Sequence, residues 1–161
     1  MSHIVRVGMA DLNVCKAPDI ITTLGLGSCI GLTLYDPHVK IGGMVHYMLP
    51  DSTIISDNSN VAKFADTGIR ELLERMIQAG ASRRLLEAKI AGGARMFAVR
   101  SSSLVGNIGE KNTIAAKKIL KELNIKLVAE DTGLNFGRTV ELHCETGEFY
   151  IKAVNKPVRI I

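Results

Sequence analysis

The stretch that decides the fold is Cys29-Ile30-Gly31-Leu32-Thr33-Leu34-Tyr35-Asp36-Pro37-His38-Val39-Lys40-Ile41-Gly42-Gly43-Met44-Val45-His46-Tyr47-Met48-Leu49-Pro50. Two short apolar, β-rich runs, 29–35 and 41–49, flank the turn pair Asp36-Pro37, and the second run stops at Pro50. Runs this close together read as an antiparallel hairpin, because parallel strands need a crossover of a dozen residues or more. Pairing sums near 75 then set Cys29 opposite His46 on one sheet face, with Cβ atoms about 5 Å apart.

Working outward, residues 4–14 alternate, with Val5, Val7 and Met9 separated by Arg6, Gly8 and Ala10, and read as one strand. Residues 19–24 form another β-branched run. The polar segment 51–60 reads as a surface loop. A helix is predicted over 61–79, with Val61, Phe64, Ala65, Ile69, Leu72, Leu73, Met76 and Ile77 on one stripe and Gly80 as its C-cap. Residues 86–90 read as a strand entering Gly92-Gly93. A second helix is predicted from Asn107 to about Leu123, opened by a capping box with Glu110 and facing the core with Ala115, Ala116, Ile119, Leu120 and Leu123. Strands at 126–130, 138–144 and 148–154 close the chain, the last two joined by Glu145-Thr146-Gly147. Strands and helices do not alternate regularly. The class is therefore α+β, with mixed or mainly antiparallel sheet and two helices packed on one side.

The 161 residues fit a single domain, 1–161, and the 47% apolar content supports a core without disulfides or metals. Charged residues are 22%, which argues against disorder. The net charge of +4 is scattered, and aromatics are only 4% with no Trp, so nucleic-acid binding is not expected. No signal peptide and no run of about 18 apolar residues is present, which predicts a cytoplasmic chain without direct membrane insertion. Three cysteines, Cys15, Cys29 and Cys144, make a poor disulfide framework and a poor zinc site.

Chemistry concentrates at Thr22-Thr23-Leu24-Gly25-Leu26-Gly27-Ser28-Cys29-Ile30-Gly31. A cysteine at a glycine-rich bend suits a presented nucleophile, and Gly27 and Ser28 lie where backbone N–H groups could hold an oxyanion. A thiol with its ordinary pKa of about 8.5 needs a base. Of the four histidines, His46 lies mid-strand across the hairpin, while His3, His38 and His143 lie in the arm, a turn and a late strand. Thr23, on the strand before the bend, is placed to orient the imidazole through its hydroxyl or carbonyl. The bland alternatives are a small buried cysteine, a structural histidine and a plain glycine turn. Cys15 and Cys144 lack such surroundings and read as packing residues.

These segments resemble the CheD family, the chemoreceptor glutamine deamidases of chemotaxis. The likeness runs through Thr23-Leu24-Gly25-Leu26-Gly27-Ser28-Cys29-Ile30, Leu34-Tyr35-Asp36-Pro37 and Gly42-Gly43-Met44-Val45-His46-Tyr47-Met48-Leu49-Pro50. It continues in Ala88-Lys89-Ile90-Ala91-Gly92-Gly93-Ala94-Arg95-Met96-Phe97, Asn107-Ile108-Gly109-Glu110-Lys111-Asn112 and Gly137-Arg138. One departure is Thr132-Gly133, where the family often has paired glycines.

The resemblance implies an α-β-β layered sandwich and a catalytic set of Cys29, His46 and Thr23. It also implies hydrolysis of receptor glutamines to glutamate through a thioester, with no metal or organic cofactor. The partners implied are the cytoplasmic helices of methyl-accepting chemotaxis proteins and a CheC-type phosphatase of the phosphorylated regulator CheY, with the chain a monomer or a heteromer with CheC. A non-catalytic adaptor of CheC is the alternative implied.

Overall fold

The computed structural model describes residues 2–96 and 107–161. Along them run β1 (Ile4–Val7), β2 (Asp11–Lys16), β3 (Ile20–Leu26), β4 (Ile30–Asp36), β5 (Ile41–Tyr47), α1 (Ala65–Gln78), β6 (Glu87–Gly92), α2 (Ile108–Glu122), β7 (Lys126–Thr132), β8 (Arg138–His143), β9 (Phe149–Lys152) and β10 (Arg159–Ile160). One sheet has the order β2-β5-β4-β6-β7 and the other β1-β3-β8-β9-β10. Both are mixed, with β1–β3 and β6–β7 parallel and the remaining pairs antiparallel. The fold is the expected α+β sandwich, in layers helix, sheet, sheet.

The β4–β5 hairpin is the middle of the first sheet, and every residue of both strands is buried. One face of the hairpin, with Ile30, Leu32, Leu34, Val45 and Tyr47, meets Leu72, Met76, Ala116 and Leu120 of the helices. The other face, with Met44 and Tyr35, meets Ile21, Leu26, Val140 and Leu142 of the second sheet. Period-two alternation therefore sorts side chains between two cores rather than between core and water.

Four expectations are corrected. Residues 4–14 are not one strand: the chain turns at Gly8–Ala10, where Ala10 has φ 57°, and β1 and β2 enter different sheets. The first helix begins at Ala65, because Val61–Lys63 is a single 3-10 turn and Phe64 is extended; Val61 and Ile77 stay exposed. The capping box of α2 does not form, since Asn107 makes no side-chain cap. The hairpin register is Ile30↔Tyr47 and Gly31↔His46, so the residue numbers of each pair sum to 77 rather than 75.

Both helices close on a residue with positive φ, and at α1 this is the expected Gly80. Gly80 (φ 113°) closes α1 with Gly80 N–H bonding Ile77 O and Ala81 N–H bonding Met76 O, a Schellman arrangement. Asn124 (φ 61°) does the same for α2, with bonds to Lys121 O and from Ile125 N–H to Leu120 O.

Candidate active site

His46 projects from β5 into the space between the sheets and is 1% exposed. There its Nδ1 lies 2.8 Å from Thr23 Oγ1, on β3 of the opposite sheet. Thr23 Oγ1 also donates to Val7 O at 2.7 Å. A hydroxyl has one proton and a carbonyl can only accept, so that proton is committed to Val7. Nδ1 must then be the donor to Thr23, and the imidazole is held as the Nδ1–H tautomer. Nε2 keeps its lone pair and has no hydrogen-bond partner among the described residues, although it is buried. Leaving a buried polar atom unpaired costs about 1–3 kcal/mol, and such atoms call for a reason in the chemistry. Burial holds the imidazole below its ordinary pKa of 6.5, so it is neutral at physiological pH.

Cys29 sits in the bend just before β4, on the same intersheet face, among Leu26, Met44, Ala91 and Val140. The residue is buried, with 8% of its surface exposed. Burial pushes the thiol up from its ordinary value, and the residue's own backbone N–H, facing the sulfur, draws it partly back. The two-residue difference in register puts Gly31, not Cys29, directly opposite His46. A slip of two keeps the face, so Cys29 remains on the histidine's side as its diagonal neighbour. No hydrogen bond joins the thiol to Nε2.

The bend is held by its neighbours. Gly93 N–H donates to Cys29 O and Ala94 N–H to Gly27 O, both at 2.9 Å. Gly92 (φ 108°) allows this approach, because a Cβ there would stand 2.2 Å from Cys29 O. The N–H of Gly27 is already bonded to Gly25 O at 3.1 Å. That leaves the N–H groups of Ser28 and Cys29 as the donors of the bend without a backbone acceptor among the described residues. From the far side Asn112 Nδ2 donates to Ser28 O and to Met48 O, each at 2.9 Å.

Thr23, Cys29 and His46 are thus gathered between the sheets, with Gly27 and Ser28 in the adjoining bend. The other histidines lie elsewhere: His3 beside Asp19, His38 in the exposed turn, and His143 stacked on Tyr150 and 3.1 Å from Glu141. Cys15 and Cys144 are not mere packing atoms, since their sulfurs lie 3.2 Å apart and share a hydrogen bond that pushes Cys15 far above the ordinary thiol range. Met96 lies against Gly27, and Phe97, which ends the second glycine segment, is outside the described residues. Sequence reasoning missed Asn112. Its signal was a polar amide four residues before Ala116 on the apolar stripe of a helix, a position that asks for a specific partner.

Comparison with known proteins adds to this geometry. Residues 48–153 match the model of a family described as CheD chemotactic sensory transduction. A protein of Lachnoclostridium phytofermentans named probable chemoreceptor glutamine deamidase CheD is 57% identical over 161 residues, all of both chains. Its namesake in Caldanaerobacter subterraneus subsp. tengcongensis is 54% identical over 160 residues, covering 99% of each chain, and that of Clostridium novyi is 50% identical over 157, covering 98% of this chain and 97% of its own.

Proposed function

The chain belongs to the CheD family of chemotactic sensory transduction proteins, and from that premise we propose that it hydrolyses glutamine side chains of chemoreceptors to glutamate, with Cys29 as nucleophile, His46 as general base and acid, and Thr23 orienting the imidazole. The observation that carries the activity is 57% identity, end to end, with a protein named a probable chemoreceptor glutamine deamidase. The division of labour is supported by the Nδ1–H tautomer imposed through Thr23, which leaves Nε2 as a bare base on the thiol's face of the sheet.

With substrate bound, Nε2 takes the Cys29 proton and the sulfur bonds to the amide carbon, while the carbonyl π electrons move to oxygen. Backbone N–H groups of the bend hold that oxyanion. As the tetrahedral species collapses, the amide nitrogen takes the proton from Nε2 and leaves as ammonia, giving a thioester. Water gives a proton to Nε2 and attacks the thioester carbon. The thiolate is expelled, the proton returns to sulfur, and the amide has become a carboxyl. The site lies in a chain that works in the cytoplasm, on the helical part of the receptor. Among the described residues no helix is long and apolar enough to cross a membrane. Binding and stimulation of a CheC-type phosphatase, which the family resemblance implies, needs an outer surface and not the thiol.

The test is incubation with a cytoplasmic fragment of a receptor. Expected are release of ammonia and a gain of about 1 Da per converted glutamine, both abolished by Cys29→Ala. Normal deamidation by Cys29→Ala would remove this site from the reaction. A wild type that never deamidates but binds a CheC-type phosphatase would replace the enzyme with the adaptor.

A further inference from the structure

The side chain of Asn112 enters from the second turn of α2 and is completely buried, 0% exposed. Its backbone is tied down by Tyr47, whose hydroxyl donates to Asn112 O at 2.6 Å. Its amide group has two protons. One goes to Ser28 O, the residue before the nucleophile, and the other to Met48 O, two residues past His46. A single side chain therefore joins the segment that carries the thiol to the segment that carries the imidazole.

The bond to Ser28 O has a further consequence. Ser28 O and Cys29 N–H belong to one peptide unit, which is planar and trans, so the two point in opposite directions. Fixing the carbonyl toward the core fixes the N–H away from it. That N–H has no backbone acceptor among the described residues, and it interacts with the residue's own sulfur, drawing the thiol's pKa partly back down. A carbonyl carbon bonded to that sulfur puts its oxygen beside this N–H. We infer that Asn112 is a positioning residue for catalysis: by holding Ser28 O it aims the Cys29 N–H at the oxyanion that forms when the thiolate adds to the substrate amide. The amide oxygen of Asn112 is equally buried and has no hydrogen-bond partner among the described residues, so this side chain carries an energetic cost that packing alone does not explain. The inference rests on the reading of Cys29 as nucleophile.

Asn112→Asp keeps the shape and removes both donors. Expected is a loss of about 10²-fold in kcat for deamidation of a receptor fragment, the usual effect of losing an oxyanion donor, with KM within about threefold. Alkylation of Cys29 by iodoacetamide, followed by mass spectrometry of the Cys29 peptide, is displacement at a saturated carbon and builds no oxyanion, so its rate stays within about threefold. Tyr35→Phe, which removes a buried hydrogen bond to Cys144 O at the other end of the sheet, serves as the control for destabilisation and keeps kcat.

A kcat for Asn112→Asp within threefold of wild type overturns the inference, and so does an equal fall in deamidation and alkylation. If the variant fails to fold, the wild type decides. A peptide with an aldehyde in place of the glutamine amide adds to Cys29 as a thiohemiacetal, and the Cys29 amide proton must then shift downfield; an unmoved resonance overturns the inference. Loss of activity in Cys29→Ala together with full activity in Asn112→Asp would end this inference and leave the nucleophile in place.

Discussion

His46 and Cys29 titrate in opposite directions for the same reason: burial disfavours the charged form of each. The imidazole is held below 6.5 and the thiol above 9.0. At neutral pH the resting pair is thiol and neutral imidazole; in the proposed mechanism the thiolate arises by proton transfer when substrate is bound. Two consequences carry a sign. The unfolded chain takes up a proton at His46 near 6.5 while the folded chain resists it, so stability falls as pH drops below that value. The proposed mechanism needs the neutral ring, so the acid limb of kcat/KM should lie below 6.5. A rate profile between about pH 4.5 and 8 checks this, and an acid limb above 6.5 would contradict it. The residue types of this site were legible in the chain: a cysteine at a glycine bend, one histidine mid-strand, a threonine on the strand before. That Thr23 accepts from Nδ1 was not, since it depends on Val7 O claiming the hydroxyl proton from a third strand.

β5 shows what a strand must give up to carry His46 between two cores. Its paired glycines do not turn the chain; they admit neighbours on both faces. A Cβ at Gly42 would meet Cys144 Sγ and Leu142 Cδ2 at 2.8 Å, and one at Gly43 would meet Leu72 Cδ1 at 2.8 Å with Met76 Sδ and Val14 Cγ1 at 2.9 Å. The helix layer thus rests directly on the backbone of the strand that holds His46. Gly43→Ala should overpack this contact by about 1–3 kcal/mol and lower the thermal midpoint by roughly 3–10 °C. Calorimetry checks the midpoint; an unchanged value would mean that α1 shifts without cost. The elements themselves were largely readable, because helix stripes, the glycine cap of α1 and the hairpin turn are local signals. The reading also failed at the start of each helix, where Val61–Lys63 is a 3-10 turn and Asn107 makes no cap; at 4–14 and in the hairpin register, a choice between partners was at stake that local pattern does not encode.

At the scale of the molecule, the two sheets are tied by Arg138, which is 2% exposed. From β8 in the second sheet its Nε donates to Asp131 on β7 of the first at 2.7 Å, and Nη1 reaches Gly133 O at 3.1 Å and Gly92 O at 3.4 Å. Asp131 also takes Arg159 of β10 at 2.6 Å. Gly92 adjoins the Cys29 bend, so this ion pair braces the site from the far end. Removing one partner of a buried pair strands the other, and Arg138→Ala should cost about 3–5 kcal/mol. The exposed pair of Arg70 and Glu122, 2.8 Å apart, is worth at most about 1 kcal/mol by comparison. Urea unfolding of Arg138→Ala and Arg70→Ala distinguishes the two, and equal losses would refute the bracing role.

By itself the chain determined its class, the presence of its two helices, the central hairpin, and the sheet face that Cys29 and His46 share, because a strand's period of two and a helix's of 3.6 are written residue by residue. Tertiary structure alone decided that residues 4–16 divide between two sheets, that Gly31 rather than Cys29 lies opposite His46, that Thr23 completes the imidazole from the other sheet, and that Asn112 secures the bend from a helix more than 80 positions along. Periodicity specifies the face a side chain presents. The partner on that face is chosen by how whole layers pack, and that choice is made only when distant parts of the chain compete for the same space.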